Sequence, residues 1–507
     1  MTTTVHPFHT NPPLRKGLVD VPGATPAAAK ATQENLLADY EKHHCYFNNK
    51  GFHNHLSHHL LSAYDLGASA SLLQDIYEVE SASQRPIVQG PEDTIPQLTE
   101  ENWASALGQE KAYVAYLKFF GEQIAEHGAQ STIERYIFSP AANGNGTVML
   151  ARFVSGLQVP DSGVELHPWI QTGFGVEFKQ DYLTAMGLAL TAVHVPDYPV
   201  EYLADLPSGD PSVTFTSKPS VSLNDLFVDL YASDVLHPGP YNKDPTYAAT
   251  LQRIDDFFAD PARLRSILDL ANRWTFPPVE DTAAFAADLE HKMKEIIVQG
   301  TLLLAGTGLR HDAQGRPPLL DFHLMHLVTA GTFIRPLLAV AREPAYQARL
   351  LHVLVRMMLM TTIMRGRPKP DVAALYARPV TLDNEQDKLL GGPRSDANGA
   401  LKGSSSSSTR HTPGGWPAII DNAIHHPEPH VSKVARSLYY GAQLYETEDD
   451  LGVVGVDGTL FLRAATVMLD GLGWVSRGEE KRGWDHSGLG WDEAWADSKV
   501  YVAVSMK

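Results

Sequence analysis

A chain of 507 residues with 43% hydrophobic and 20% charged residues has the composition of an ordinary globular protein. Its formal charge of -18 excludes the clustered Lys and Arg surface that nucleic-acid phosphates require, so no nucleic-acid partner is expected. Cys45 is the single cysteine, which excludes an internal disulfide framework and a Cys-rich zinc or iron–sulfur site.

The first 30 residues are rich in Pro, Thr and Ala, carry no secretory pattern, and are expected to form an extended arm. The 3.6-residue period of apolar positions then predicts a helix in TQENLLADYEKHHCYF, from Thr32. A second helix follows in NHLSHHLLSAYDLGAS, ended by a left-handed Gly67, and Ser69 caps a third in ASLLQDIYEV. A Gly/Asn turn is expected around residues 143–146. Helical periodicity returns in SVSLNDLFVDLYAS, DFFADPARLRSILDLANRW, TAAFAADLEHKMKEIIVQGTLLLAG and LLDFHLMHLVTAGTFIRPLLAVA.

Residues 350–364 are the most apolar run but are too short to span a bilayer and contain His352 and Arg356, so a buried helix and a cytoplasmic protein are expected. The Ser/Gly-rich stretch at 393–415 reads as a flexible loop, after which WPAIIDNAIHHPEPHVSKVARSLYYGAQLY returns to helix. The tail repeats Gly–Trp pairs, which aromatic packing onto the body would explain. The expected fold is mainly α: a large multi-helix single body over residues 31–507 with few short strands.

Several chemistries lack their motifs. No G-x-G-x-x-G follows a strand, so no flavin or nicotinamide fingerprint is present, and there is no P-loop, nucleophile elbow or H-E-x-x-H. Histidine remains. In GFHNHLSHHLL, residues 51–61, His55 lies one helical turn from His58 and His59, a spacing that puts metal-ligating rings on one face without choosing among them. His53 precedes the helix and reads as structural.

Further candidates are His167 in ELHPWIQTGFGVEF, the pair His323 and His326 in DFHLMH, and His430 with Lys433 one turn on in HHPEPHVSKVARSL. The His426–Glu428 pair spells half of a two-histidine, one-carboxylate iron site and ranks second, because its proline-broken stretch is expected to be exposed. Each histidine alone is as well explained by core packing. Lys433 is as well explained by pairing with an acid such as Glu428, although a buried lysine turns into a base, a nucleophile or, with carbon dioxide, a carbamate.

FHNHLSHHLLSAYDLGAS, LHPWIQTGFGVEF, FHLMHLVTAGTFI and HPEPHVSKVARSL, in that order, resemble the questin oxidase-like family of fungal secondary metabolism. The resemblance implies an oxidase of Baeyer–Villiger type that opens a ring of an anthraquinone polyketide on routes to mycotoxins and related compounds, with O₂ as co-substrate and NADPH attributed to some members. Without a flavin fingerprint, the oxygen chemistry falls to non-haem iron. In that reading His58, His167, His326 and His430 supply nitrogens and carbamylated Lys433 an oxygen, with His430 and Lys433 also the catalytic pair; His55 or His59 stand as alternatives to His58. A metal-dependent hydrolase and a non-enzymatic helical binding protein are the competing readings. His323 stands where an aromatic or aliphatic residue is expected from the resemblance.

Overall fold

Helix-forming runs bounded by capping residues build this molecule, and the caps decide where each run begins. The structure is a computed structural model and describes residues 13–49, 51–87, 97–144, 146–155, 166–196, 198–203, 215–243, 247–310, 316–378 and 415–497. Helix α1 spans Pro26–Lys42. It starts six residues before the expected Thr32, inside the segment expected to be an extended arm, because Thr25 accepts from the Ala28 N–H and Pro26 fits a first turn that needs no donor.

Helix α2, Leu56–Asp65, is buried at all ten positions. It ends at Gly67, whose φ of +90° is left-handed and whose Cβ, if present, would meet the Pro22 carbonyl at 2.7 Å. Ser69 caps α3, Ala70–Ser81, by accepting from the Leu72 N–H, as its place in the sequence implies.

Farther along the chain, α4 (Tyr113–His127) packs on α6 (Asp181–Val193), which packs on α5 (His167–Phe178). Gly187 allows the α5–α6 approach, since a Cβ there would lie 2.6 Å from the Thr172 nitrogen. A second layer holds α7 (Thr282–Gly306), α8 (Phe322–Thr332) and α9 (Pro344–Met364). Helix α10 (Pro429–Tyr445) packs on both α2 and α8, and α11 (Leu460–Leu472) lies against it.

Among the described residues there are isolated β-bridges and no strands, where few short strands are expected. Of the expected turn, Asn143 and Gly144 close a short Pro140–Asn143 helix, and Gly146 has φ +81°. Residues 1–12 and 393–414 lie outside the described residues, so most of the expected arm and flexible loop does too. No single described helix is long and apolar enough to cross a membrane. Helix α8 and the Ile334–Val340 helix pass that test as a pair bent by 47°, but α8 is almost entirely buried in protein.

Buried charge ties three helices to the N-terminal segment. Arg436 of α10 donates to Asp65 of α2 at 2.9 Å and to Glu177 of α5. The same carboxylates accept from the Gly17 and Leu18 N–H groups, each at 2.7 Å. Two carboxylates facing one guanidinium leave an excess negative charge, and burial pushes the Glu177 carboxyl up to about 7.

Candidate metal centre

Three of these helices begin at one point in the core, and a fourth joins them within its second turn. His55 stands just before α2, His167 is the first residue of α5, His430 the second of α10, and His326 the fifth of α8. One ring nitrogen from each lies within 4.8 Å of the others. The helix starts are made locally: Asn54 accepts from the Leu56 N–H, Asp321 caps α8, and Glu428 caps α10. Before α5, Leu166 takes φ +54°, a strained left-handed conformation for a leucine, and so aims His167 inward.

Hydrogen bonds fix which nitrogen three of the four rings present. The His55 Nδ1–H donates to the His53 carbonyl at 2.7 Å, the His326 Nδ1–H to the Phe322 carbonyl at 2.9 Å, and the His430 Nδ1–H to Glu428 Oε1 at 2.6 Å. Neutral rings held this way carry bare lone pairs on Nε2. Yet His55 Nε2 lies 2.9 Å from His167 Nε2 and 3.1 Å from His430 Nε2, and His326 Nε2 is buried without a hydrogen bond. Two lone pairs in contact repel unless a cation lies between them. Imidazoles at about 2.1 Å from one ion and at right angles stand about 3 Å apart, so the donor set fits a metal.

Protonation is not the alternative the surroundings favour. Burial first, then neighbouring histidines and Lys433, push His53, His55, His58, His167, His326 and His430 well below the usual imidazole range. The positive ends of the converging helices act in the same direction. Lys433, one turn beyond His430, is buried, and among charged neighbours it has the largest effect on His58, His326 and His430.

Not every expected residue joins the cluster. His167, His326 and His430 do, and His55 occupies the place assigned to His58. The His58 Nε2–H donates to Gln171 Oε1 at 2.9 Å and its ring stacks on Phe174, so His58 braces His55 rather than facing the other three. His59 binds Glu80 of α3 instead.

The His426–Glu428 pair is not exposed as expected, although Pro427 between them is. His426 is buried, accepting from the Glu428 N–H on Nδ1 and donating from Nε2 to the Leu472 carbonyl, while Glu428 orients His430. Burial raises the Glu428 carboxyl, partly offset by the Trp484 indole N–H that it accepts at 2.7 Å.

Sequence reasoning missed an outer set of residues. His53 stacks on His167 with ring centres 3.7 Å apart and pairs with His194 at 3.0 Å, and the His194 Nδ1–H donates to the Ser155 carbonyl. A cavity with room for about one water lies beside them, lined by His53, His58, Tyr113, His167 and Gln171. No local pattern marks His194 or Gln171, because both reach the centre through the α5–α6 packing. The Gly–Trp tail does carry chemistry: Trp484 holds Glu428.

Comparison with known proteins places this chain in a family. The profile described as "Questin oxidase-like" matches residues 52–438, which contain all four clustered histidines and Lys433. "Questin oxidase" of Aspergillus terreus is 27% identical over 64% of this chain and 66% of its own length. "Oxidoreductase AflY" of Aspergillus parasiticus is 26% identical over 94% of this chain and 88% of its own. "Baeyer-Villiger monooxygenase dmxR6" of a Cryptosporiopsis species is 25% identical over 63% and 66%. With its profile matched over most of the sequence, this chain belongs to the questin oxidase-like family.

Proposed function

We propose that this protein is an oxidoreductase that inserts oxygen into, or cleaves, a ring of an anthraquinone-type polyketide, at an iron centre held by His55, His167, His326 and His430. The observation that carries the reading is the pair of bare Nε2 atoms of His55 and His430, 3.1 Å apart in the core, with His167 Nε2 2.9 Å from the first. The names of the relatives support the oxygen chemistry, and the family resemblance supports the polyketide class. Iron, when bound, supplies the electron exchange with O₂ that a closed-shell organic substrate cannot.

The chain's own groups do the rest. Glu428 and the His53 and Phe322 carbonyls fix the ring orientations. The helix starts favour an anionic oxygen beside the metal. Lys433, converted to a carbamate, is the group we assign to that place, replacing a cation with an oxygen donor. Inserting one oxygen atom consumes one O₂, and the second atom leaves as water at the cost of two electrons and two protons. NADPH is the class of donor we assign to that step.

The test is turnover of a hydroxyanthraquinone by iron-loaded protein. Product carrying an oxygen atom from ¹⁸O₂ is expected in air and none under anaerobic conditions. Equal turnover without O₂ overturns the reading.

A further inference from the structure

Around the centre, burial and accessibility part company in one direction. His55, His323, Glu428 and His486 are all deeply enclosed, and loss of solvation is the leading influence on each. Each nevertheless keeps accessible surface. Groups far inside a protein that still touch solvent line a recess. Its back is the centre itself, through His55 and Glu428.

A bridge between distant parts of the chain builds its wall. The Phe322 N–H donates to the Asp485 carbonyl at 2.9 Å, and the Asp485 N–H donates to the Leu320 carbonyl at 2.7 Å. Asp321 is held from behind by buried Arg365 at 2.7 Å. This pairing puts His486 against Phe322, ring centres 4.6 Å apart, and Phe322 also meets His326 and His430 edge to face, at 4.9 and 5.1 Å. Trp484 borders the same region, 6.4 Å from the His430 ring.

His486 makes no hydrogen bond among the described residues, although its neighbours Asp485 and Ser487 are satisfied. Burial and Arg365 keep its ring neutral down to about pH 4, so it offers one donor and one acceptor. It lies beyond residues 52–438, in the part of the chain that the family profile does not match.

We infer that the recess lined by His55, His323, Glu428 and His486, with Phe322 and Trp484 in its wall, seats the flat aromatic substrate, and that His486 is a positioning residue that hydrogen-bonds an oxygen substituent on it. The inference rests on the aromatic substrate class proposed above but not on the metal or on O₂. Phe322 and Trp484 give that recess an aromatic wall beside the His430 ring. A site built to hydrogen-bond a hydroxyl discriminates against the analogue that lacks it.

Quenching of tryptophan fluorescence under anaerobic conditions reads binding directly, with 1,8-dihydroxyanthraquinone and unsubstituted anthraquinone as probes. The dihydroxy compound is expected to bind the wild type more tightly. His486→Phe is expected to bind it about tenfold more weakly, the loss of one hydrogen bond, while binding of anthraquinone stays unchanged. His486→Asn, which keeps a donor and an acceptor, is expected to restore most of the difference. Equal affinities of His486→Phe and wild type for the dihydroxy compound overturn the inference. So does an equal loss for both probes, or binding of neither by the wild type. Because no turnover is read, failure of the iron chemistry leaves this result interpretable.

Discussion

The proton on Nδ1 of His55, His326 and His430 is as much a part of the centre as the nitrogen that faces inward. Each is donated to an oxygen, and that choice leaves Nε2 bare. Glu428 is the one carboxylate among these three acceptors, so it adds basicity to His430 as well as direction. Glu428→Gln keeps the shape and removes the charge; metal affinity is expected to fall about 10–100-fold with unchanged circular dichroism, measured by competition with a chelator. An unchanged affinity would mean that Glu428 serves as a helix cap alone. At this scale the sequence was half legible. GFHNHLSHHLL announced imidazoles at helical spacing, but spacing cannot tell His55 from His58 or His59. The cap decides: His55 stands outside the first turn of α2 and its ring reaches the other helix starts, whereas His58 lies within the helix against Gln171.

Helices bring these residues together by their ends, so whatever fixes the ends governs the site. Arg436, Asp65 and Glu177 lock α10, α2 and α5 together about two to three turns beyond their ligands. The excess charge in this triad has a pH signature. A Glu177 carboxyl raised to about 7 from its ordinary 4.5 binds a proton more tightly folded than unfolded. Its contribution is therefore fully present below about pH 4.5 and is lost as pH rises toward 7. Glu177→Gln removes this dependence, so its melting temperature is expected to gain on the wild type progressively between pH 4.5 and 7. Parallel melting curves across that window would contradict the charge assignment. The helices themselves were legible where periodicity and caps agree, as at Gly67 and Ser69. The bridge that seats Phe322 beside His486 was not, because pairing across so long a stretch of chain leaves no local pattern.

On the scale of the molecule, an α-helical body surrounds a buried polar point to which four helices deliver nitrogen donors. A buried imidazole nitrogen left without a hydrogen bond, as His326 Nε2 is, costs ~1–3 kcal/mol, which a shared cation offsets. The fold class was legible because scarce period-two alternation and frequent 3.6-residue periodicity extend along the chain. Convergence was not, since it depends on which helix starts face each other in three dimensions. The most direct test is the metal content of the protein purified without chelators, measured by elemental analysis for the wild type, His326→Ala and His58→Ala. One iron per chain is expected in the wild type, retained in His58→Ala and lost in folded His326→Ala. A wild type that binds no metal, yet converts an anthraquinone at full rate, would contradict the account.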